Sequence, residues 1–137
     1  MNRATTTSLL KRCFEAFNAN DHAVLLTCLS EDVALDINQG SREFGKERFR
    51  WFLALRARHF QDQVSDIVIM MDESGGRAAV EFTLRGRYLD TAEPLPRASG
   101  QSYSLPVGLF LEIDDGLITR VSAHFSMAEL AAQLSRG

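Results

Sequence analysis

The stretch that decides the fold is residues 77–90, which read RAAVEFTLRGRYLD. Apolar and polar side chains alternate through its centre. The apolar set is Val80, Phe82 and Leu84, and the polar set is Glu81, Thr83 and Arg85. A period of two residues is typical of a β-strand with one buried and one exposed face. The stretch therefore predicts a long strand that covers a core on one side.

Three further β-rich runs surround this strand, at residues 64–72, 101–113 and 117–126. The sequences between them are typical of turns. Glu73-Ser-Gly-Gly76 and Asp114-Asp-Gly116 predict tight hairpins, and residues 91–100, which contain Pro94 and Pro96, predict a longer hairpin loop. The second half of the chain is therefore predicted to be an antiparallel meander of four strands.

The first half of the chain has mainly helical spacing. Apolar residues at offsets 0, 1, 4, 5 and 8 from Leu9 predict a helix over about 6–18, and Asp21 is placed to cap a short second helix. Residues 33–37 alternate like a strand, and a third helix is expected from Gly45 to near His59. A capping box, Ser126-Met-Ala-Glu129, predicts a short C-terminal helix.

These elements predict one α+β domain over residues 1–137, in which a curved antiparallel sheet wraps three N-terminal helices as a cone. The alternation also predicts which strand residues face inward. The inward set continues with Val107, Leu109, Leu111, Val121, Ala123 and Phe125. The outer face carries charged residues around an apolar one, a pattern that indicates a covered patch. We therefore expect a homodimer that forms through Arg85, Phe110, Arg120 and His124.

Composition excludes several classes of protein. The 137 residues are 45% hydrophobic and 24% charged, with 15 basic and 18 acidic residues mixed along the chain, for a net charge of −3. Such a chain has no basic surface for nucleic acid, and no apolar run is long enough for a signal peptide or a membrane span. Cys13 and Cys28 form no CxxC pair, so we expect both to be reduced and the protein to be cytoplasmic.

Five short motifs carry a family resemblance. They are Ser30-Glu-Asp-Val33, Asp36-Ile-Asn-Gln-Gly40, Gly45-Lys-Glu47, Asp115-Gly-Leu-Ile118 and His124-Phe-Ser126. With the element order, they resemble the NTF2-like superfamily, and within it the SnoaL-like and ketosteroid isomerase-related members. The resemblance implies the cone fold, but relatives include steroid isomerases, polyketide cyclases, epoxide hydrolases, dehydratases and subunits without chemistry, so it does not fix the function.

The resemblance implies a carboxylate that moves a proton beside a ketone, assisted by a tyrosine and a protonated aspartic acid. Counting back nine residues from Gly45 places the base at Asp36, whereas counting forward from Asp32 places Ile37 there. A shift of one residue moves a strand side chain to the other face. We predict Asp36 as the catalytic residue, because a length change fits better in the turn after it. The alternative role for Asp36 is capping that turn.

The two electrophilic positions of the family are occupied differently here. The tyrosine position falls at Cys13 and the aspartic acid position near Leu109. Loss of one such donor costs about 100-fold to 1,000-fold in rate, which argues against an efficient steroid isomerase. Cys13 has two interpretations, a thiol that lines the pocket and a small buried hydrophobe.

The residues predicted to bind a ligand share an inward position or a polar group near the cone mouth. They are Cys13, Phe17, Asn38, Trp51, Phe82, Tyr103, Leu109 and Phe125. Asn38 and Tyr103 offer hydrogen bonds that replace the lost donors, and the aromatic residues fit a flat ligand. Core packing and turn geometry are the alternative explanations. The three histidines show no metal-ligand spacing and the glycines lie in hairpins, so neither a metal nor a nucleotide cofactor is expected.

Two functional hypotheses follow. The first is cofactor-free proton transfer, of the isomerase, cyclase or dehydratase type, on a small hydrophobic carbonyl metabolite, with Asp36 as acid or base. The second is a dimeric binding or structural module that keeps the cone without its chemistry. An epoxide hydrolase is disfavoured because it would need an inward arginine and a second acid, whereas Arg85 and Arg87 are predicted to face outward.

Overall fold

A computed structural model describes residues 1–136, so the last residue of the predicted domain, Gly137, lies outside the described residues. The described chain forms four helices and six strands. In order they are α1 (Arg3–Asn18), α2 (His22–Thr27), β1 (Leu29–Ile37), β2 (Glu43–Phe44), α3 (Lys46–His59), β3 (Phe60–Met71), β4 (Arg77–Tyr88), β5 (Ser102–Asp114), β6 (Leu117–His124) and α4 (Met127–Arg136). This is the predicted α+β order, with the short strand β2 added.

The six strands form one sheet in the order β2-β1-β6-β5-β4-β3. The four-strand meander from β3 to β6 is antiparallel, as predicted. The prediction of an antiparallel sheet fails at one seam, because β1 pairs with β6 in parallel. No tight hairpin joins these two strands, since α3 and the whole meander lie between them in sequence, and their relative direction is therefore not imposed by a turn.

The two faces of the sheet have the surroundings predicted from the alternation. Val80, Phe82 and Leu84 are buried in the core, while Glu81 and Arg85 are exposed on the outer face. The sheet also bends, since the β3–β4 register shifts between Ser65 and Val68. An extra residue in one strand increases the local twist, which helps the sheet curve around the helices.

Side chains cap the helices at two of the expected places. Asp21 accepts a hydrogen bond from Val24 N at 3.2 Å, and Ser126 Oγ accepts one from Glu129 N at 3.0 Å. The start of α1 was predicted three residues late, because Asn2 and Thr5 form a capping box that the sequence reading missed. Within residues 1–136, no helix is long and apolar enough to cross a membrane.

Candidate active site

The helices and the inner face of the sheet line a partly open cavity of about 180 Å³. Its wall is almost entirely apolar. The aromatic members are Phe14, Phe17, Phe49, Phe52, Phe82 and Phe125. Among the lining residues, charged groups come from Arg56 and Asp62 alone. A concave apolar site with few polar groups is typical of a site for a small molecule.

Five of the residues predicted to bind a ligand lie in this wall. They are Cys13, Phe17, Phe82, Leu109 and Phe125. Cys13 and Phe17 come from α1, one turn apart, and the other three come from β4, β5 and the residue that follows β6. The structure thus brings together residues that are far apart in the sequence, although their contact with a ligand stays a prediction.

Two other predicted residues lie outside the wall. Trp51 is 62% exposed, because it is two residues from the inward-facing Phe49, a rotation of about 200° around the helix. Asn38 serves the turn after β1, where its φ is 53° and its Oδ1 accepts a hydrogen bond from Phe125 N at 2.8 Å. Trp51 therefore faces away from the cavity, and the amide of Asn38 is used in the turn. Neither side chain brings a polar or aromatic group to the cavity.

Asp36 lies on the outer face of the sheet, and Ile37 is the residue that lines the cavity. Asp36 pairs with Ser122 across the β1–β6 seam, and its Oδ2 accepts hydrogen bonds from Ser122 Oγ at 3.0 Å and Arg42 Nε at 2.9 Å. The expectation that Asp36 faces the cavity is wrong, because successive side chains of a strand point to opposite faces and its neighbours Leu35 and Ile37 both line the cavity. A catalytic role for Asp36 stays a prediction.

The carboxylate in the cavity wall belongs to Asp62 on β3, which the sequence analysis did not select. Its side chain is 6% exposed and forms a two-pronged ion pair with Arg56 at the end of α3. Arg56 Nε lies 2.9 Å from Oδ2 and Arg56 Nη2 lies 2.9 Å from Oδ1. The guanidinium also stacks over the ring of Phe60, 4.0 Å from its centroid. This two-point contact fixes the orientation of the carboxylate.

Tyr103 completes this cluster from β5, and its hydroxyl donates a short hydrogen bond to Asp62 Oδ1. Asp62, Gly86 and Tyr103 lie in one row across β3, β4 and β5. A Cβ at Gly86 would overlap both the Tyr103 hydroxyl and the Gln61 carbonyl. The glycine leaves the space through which the tyrosine reaches a carboxylate two strands away.

The surroundings of Tyr103 keep its hydroxyl protonated. Burial first, and then the negative charge of Asp62, raise the pKa of Tyr103 far above that of an ordinary tyrosine. Tyr103 was predicted to offer its hydroxyl to the cavity, but it is not among the lining residues, and the hydroxyl is directed to Asp62 instead. The connection of Tyr103 to the cavity is therefore indirect, through its hydrogen bond to the Asp62 carboxylate.

A second, polar cleft of about 180 Å³ lies on the other side of the ion pair. Its wall includes Asn18, Asn20, His22, Gln61 and Gln63. The two spaces share four lining residues, which are Phe17, Leu53, Arg56 and Asp62. The ion pair thus stands between an apolar chamber and a polar one.

Local signals for these residues are present in the sequence. Asp62 lies between Phe60 and Val64 in the alternation of an inward strand face, and Arg56 follows Phe52 and Leu53 at helical spacing. The predicted helix ended near His59 and the predicted strand began at Val64, so residues 60–63 were assigned to neither element. Arg85 and Arg87 are exposed, as predicted, but Arg56, which was not considered, lines the cavity, and the lining residues include no second acid.

The two positions at which the family carries electrophilic donors both lie in the wall, as Cys13 and Leu109. Leu109 can donate no hydrogen bond. A hydrogen bond with Cys28, and then burial, raise the pKa of Cys13 well above its ordinary value, so it remains a neutral thiol. The polar chemistry of this cavity is therefore concentrated at the Arg56–Asp62 end.

Comparison with known proteins places the chain in a family. The sequence profile of the SnoaL-like domain matches residues 10–121. A candidate polyketide cyclase from Xanthomonas campestris pv. campestris is 41% identical, with 96% of this chain and 98% of that chain covered and a TM-score of 0.93. Another, from Pseudomonas putida KT2440, is 43% identical over 94% and 97%, with a TM-score of 0.91.

More distant structures share the fold alone. An epoxide hydrolase of the LEH-like type from M. tuberculosis is 20% identical over 98% of this chain and 92% of that chain, with a TM-score of 0.77. No curated protein sequence matches the chain. The match to the family profile, the identity of over 40% to the two candidate polyketide cyclase structures and the cone fold agree, and the chain belongs to the SnoaL-like domain family.

Proposed function

We propose that the protein is an enzyme that moves a proton on a small hydrophobic carbonyl compound, with Asp62 as the base. The observation that carries this proposal is the placement of one oriented carboxylate, Asp62, in the wall of an apolar cavity. Two similar structures are candidate polyketide cyclases, which supports chemistry on carbonyl compounds. The sequence-based hypothesis is kept, but the proton-transfer role moves from Asp36 to Asp62.

The contacts of Asp62 leave one place for a proton. A carboxylate has about four lone-pair sites. Oδ1 accepts from both Arg56 Nη2 and the Tyr103 hydroxyl, whereas Oδ2 accepts from Arg56 Nε. Oδ2 therefore keeps a free lone pair, and we assign it as the atom that takes the proton.

Arg56 stabilises the charge that this transfer creates. The Cα–H bond of the ligand breaks, its proton goes to Asp62 Oδ2, and the electron pair forms the enolate of the carbonyl group. The negative charge moves from the carboxylate to the enolate oxygen. A guanidinium that touches Asp62 and also lines the cavity can stabilise the charge in both places. Return of the proton to another atom of the ligand completes an isomerisation or a cyclisation.

The rival hypothesis is a module that binds without chemistry. Binding an apolar molecule needs only apolar surface, and a buried ion pair is often no more stable than apolar residues of similar volume. Phe17, Phe52 and Leu53 already supply such surface at this end of the cavity. A charged pair placed among them therefore favours a role in moving protons.

The experiment measures exchange of the methyl protons of acetophenone for deuterium in D2O, followed by proton NMR. The wild type should accelerate exchange, and Asp62→Asn should lower the accelerated rate by about 100-fold or more. Asp36→Asn is the matched comparison, because it makes the same change at a buried carboxylate on the outer face. Circular dichroism should confirm that both variants fold.

Each outcome separates the hypotheses. Loss of exchange in Asp36→Asn with retention in Asp62→Asn would return the base to Asp36. Bound acetophenone with no acceleration in the wild type would favour the non-catalytic module.

We also propose that the protein forms a homodimer through the outer face of the sheet and works in the cytoplasm. Phe110 is 51% exposed there and stacks edge-on against His124 at 5.5 Å. An exposed ring among charged residues supports a surface covered by a second copy. Both cysteines are free thiols, which supports a reducing compartment.

A further inference from the structure

We infer that the site accepts a carbonyl compound with a single ring, or a chain of similar size, and excludes compounds with several fused rings. This inference rests on the proposed function for the chemistry of the ligand, and on the cavity for its size. It narrows the proposed substrates from small hydrophobic carbonyl compounds in general to those with one ring or a chain of similar size.

The volume of the cavity sets the limit. A cavity of ~150 Å³ lined by apolar residues holds benzene, and pockets for drug-sized ligands span about 300–1,000 Å³. The cavity here has about 180 Å³, enough for one ring and a short carbonyl substituent. A skeleton of four fused rings has about three times the ring atoms of benzene, and by proportion needs roughly 450 Å³.

The aromatic rings of the wall resist expansion. Phe14 packs edge-on against Phe82 with centroids 5.7 Å apart, and Phe49 packs against Phe52 at 6.0 Å. Phe14, Phe49 and Phe82 are each less than 10% exposed. Moving one of these rings aside would require empty space elsewhere in a close-packed core. We therefore expect the wall to keep its size when a ligand binds.

The charged end of the cavity orients the ligand. Arg56 and Asp62 are the charged residues of the wall, and they lie together at one end of the cavity. A carbonyl group therefore belongs at that end and the ring at the apolar end. Beyond the ion pair the space is the polar cleft lined by Asn18, Asn20 and Gln63. An extension of the ligand in that direction would need polar atoms, and a further carbon ring there would leave the polar groups of the cleft without partners.

The test compares three ketones of increasing size by isothermal titration calorimetry. The probes are acetophenone with one ring, 2-acetonaphthone with two rings and androst-4-ene-3,17-dione with four rings. Acetophenone should bind to the wild type. The affinity for 2-acetonaphthone should be lower by about tenfold or more, and the four-ring ketone should not bind. Chemical shifts at Cys13 and Leu109 report whether each probe enters the cavity.

A pair of variants tests whether the wall sets the limit. Phe125→Ala removes a ring from the cavity wall and should strengthen binding of 2-acetonaphthone by about tenfold relative to acetophenone. Phe110→Ala is the matched control, since it removes the same ring from the outer face and should leave the ratio unchanged.

The outcomes distinguish this inference from the proposed function. Binding of the four-ring ketone inside the wild-type cavity would overturn the size limit, whatever the result with Asp62. Selective binding of acetophenone with exchange that does not depend on Asp62 would uphold the size limit and overturn the proposed base. Failure of all three ketones to bind would overturn both.

Discussion

Gly86 lies between Asp62 and Tyr103, and its missing side chain decides whether the tyrosine reaches the carboxylate. A methyl group there would overlap the Tyr103 hydroxyl, a group at the end of a side chain, and also the Gln61 carbonyl. The carbonyl belongs to the backbone of a paired strand and cannot move aside without disturbing the pairing of β3 with β4. The absence of a side chain at Gly86 therefore allows the sheet to bring Tyr103 to the carboxylate of the proposed active site.

Gly86→Ala should lower the free energy of unfolding by about 3 kcal/mol, because the added methyl group overpacks the strand. Urea denaturation gives this quantity. Gly108→Ala is the matched control: Gly108 also lies in the interior of a strand, but a Cβ there meets nothing within 4 Å. Equal losses in the two variants would show that general effects of strand glycines, and not the close approach, determine the cost.

Tyr103 makes stability depend on pH in the alkaline range. An unfolded tyrosine has a pKa of about 10, and the folded protein raises the pKa of Tyr103 above that value. The native state therefore keeps the proton when the unfolded state loses it. The contribution to stability is complete below about pH 10 and falls as the pH rises further, by up to ~1.4 kcal/mol per pH unit.

Tyr103→Phe should remove this dependence. We expect the wild type to be more stable than the variant at pH 8, and the difference to shrink between pH 10 and pH 11. Urea denaturation at several pH values measures it. A constant difference across this range would contradict the assignment, because it would mean that ionisation of Tyr103 is not opposed by the fold.

At the scale of the elements, Asn18 at the end of α1 holds the edge of the sheet. β3 is the last strand in the sheet order, so its outer edge has backbone groups without a neighbouring strand. Asn18 Nδ2 donates to Val64 O at 2.9 Å, and Val64 N donates to Asn18 Oδ1 at 2.8 Å. The side chain thus replaces a strand at this position and ties α1 to the strand that carries Asp62.

Asn18→Ala should destabilise the fold by about 2 kcal/mol, because it leaves two backbone groups of the buried Val64 without partners. The change in the free energy of unfolding by urea is the measurement. Asn20→Gly serves as the control, since Asn20 is exposed and has a φ of 59° that suits glycine, and it should change stability by less than about 0.5 kcal/mol. A loss below this level in Asn18→Ala would indicate that water replaces the amide.

At the scale of the whole molecule, the sheet has an inner face that forms the cavity and an outer face open to a partner. One row across the outer face contains Met70, Ala79, Phe110, Ser122 and Asp36, from β3 to β1. Met70 is 49% exposed and Phe110 is 51% exposed. The predicted interface residues Arg85, Arg120 and His124 lie on this face, where Arg120 is within 3.8 Å of Glu112.

Phe110→Asp should convert the proposed dimer into a monomer, because a charge would replace the exposed ring at the middle of the row and be buried in the interface. Sedimentation velocity measures the change in mass. Trp51→Asp is the matched control, as Trp51 is equally apolar and 62% exposed but lies on α3, away from the sheet. A wild-type monomer, or a dimer that Trp51→Asp disrupts and Phe110→Asp does not, would contradict the proposed interface.

Local patterns were enough to predict most of the fold. The strand faces, the two tight hairpins and the caps at Asp21 and Ser126 follow from the period of side chains and from turn chemistry, which act over a few residues. The same local reasoning identified five residues of the cavity wall, including Cys13 and Leu109. It failed at residues 60–63, where α3 runs directly into β3 without a turn.

The partners of each carboxylate were decided only by tertiary structure. Alternation places Asp62 in phase with Phe60 and Val64, and Asp36 out of phase with Leu35 and Ile37, but it does not say which groups either carboxylate meets. The pairing of β1 with β6 brings Asp36 to Ser122, and the row across β3, β4 and β5 brings Asp62 to Tyr103. These alignments depend on residues far apart in the chain, and a difference of one residue in register exchanges the two faces of a strand.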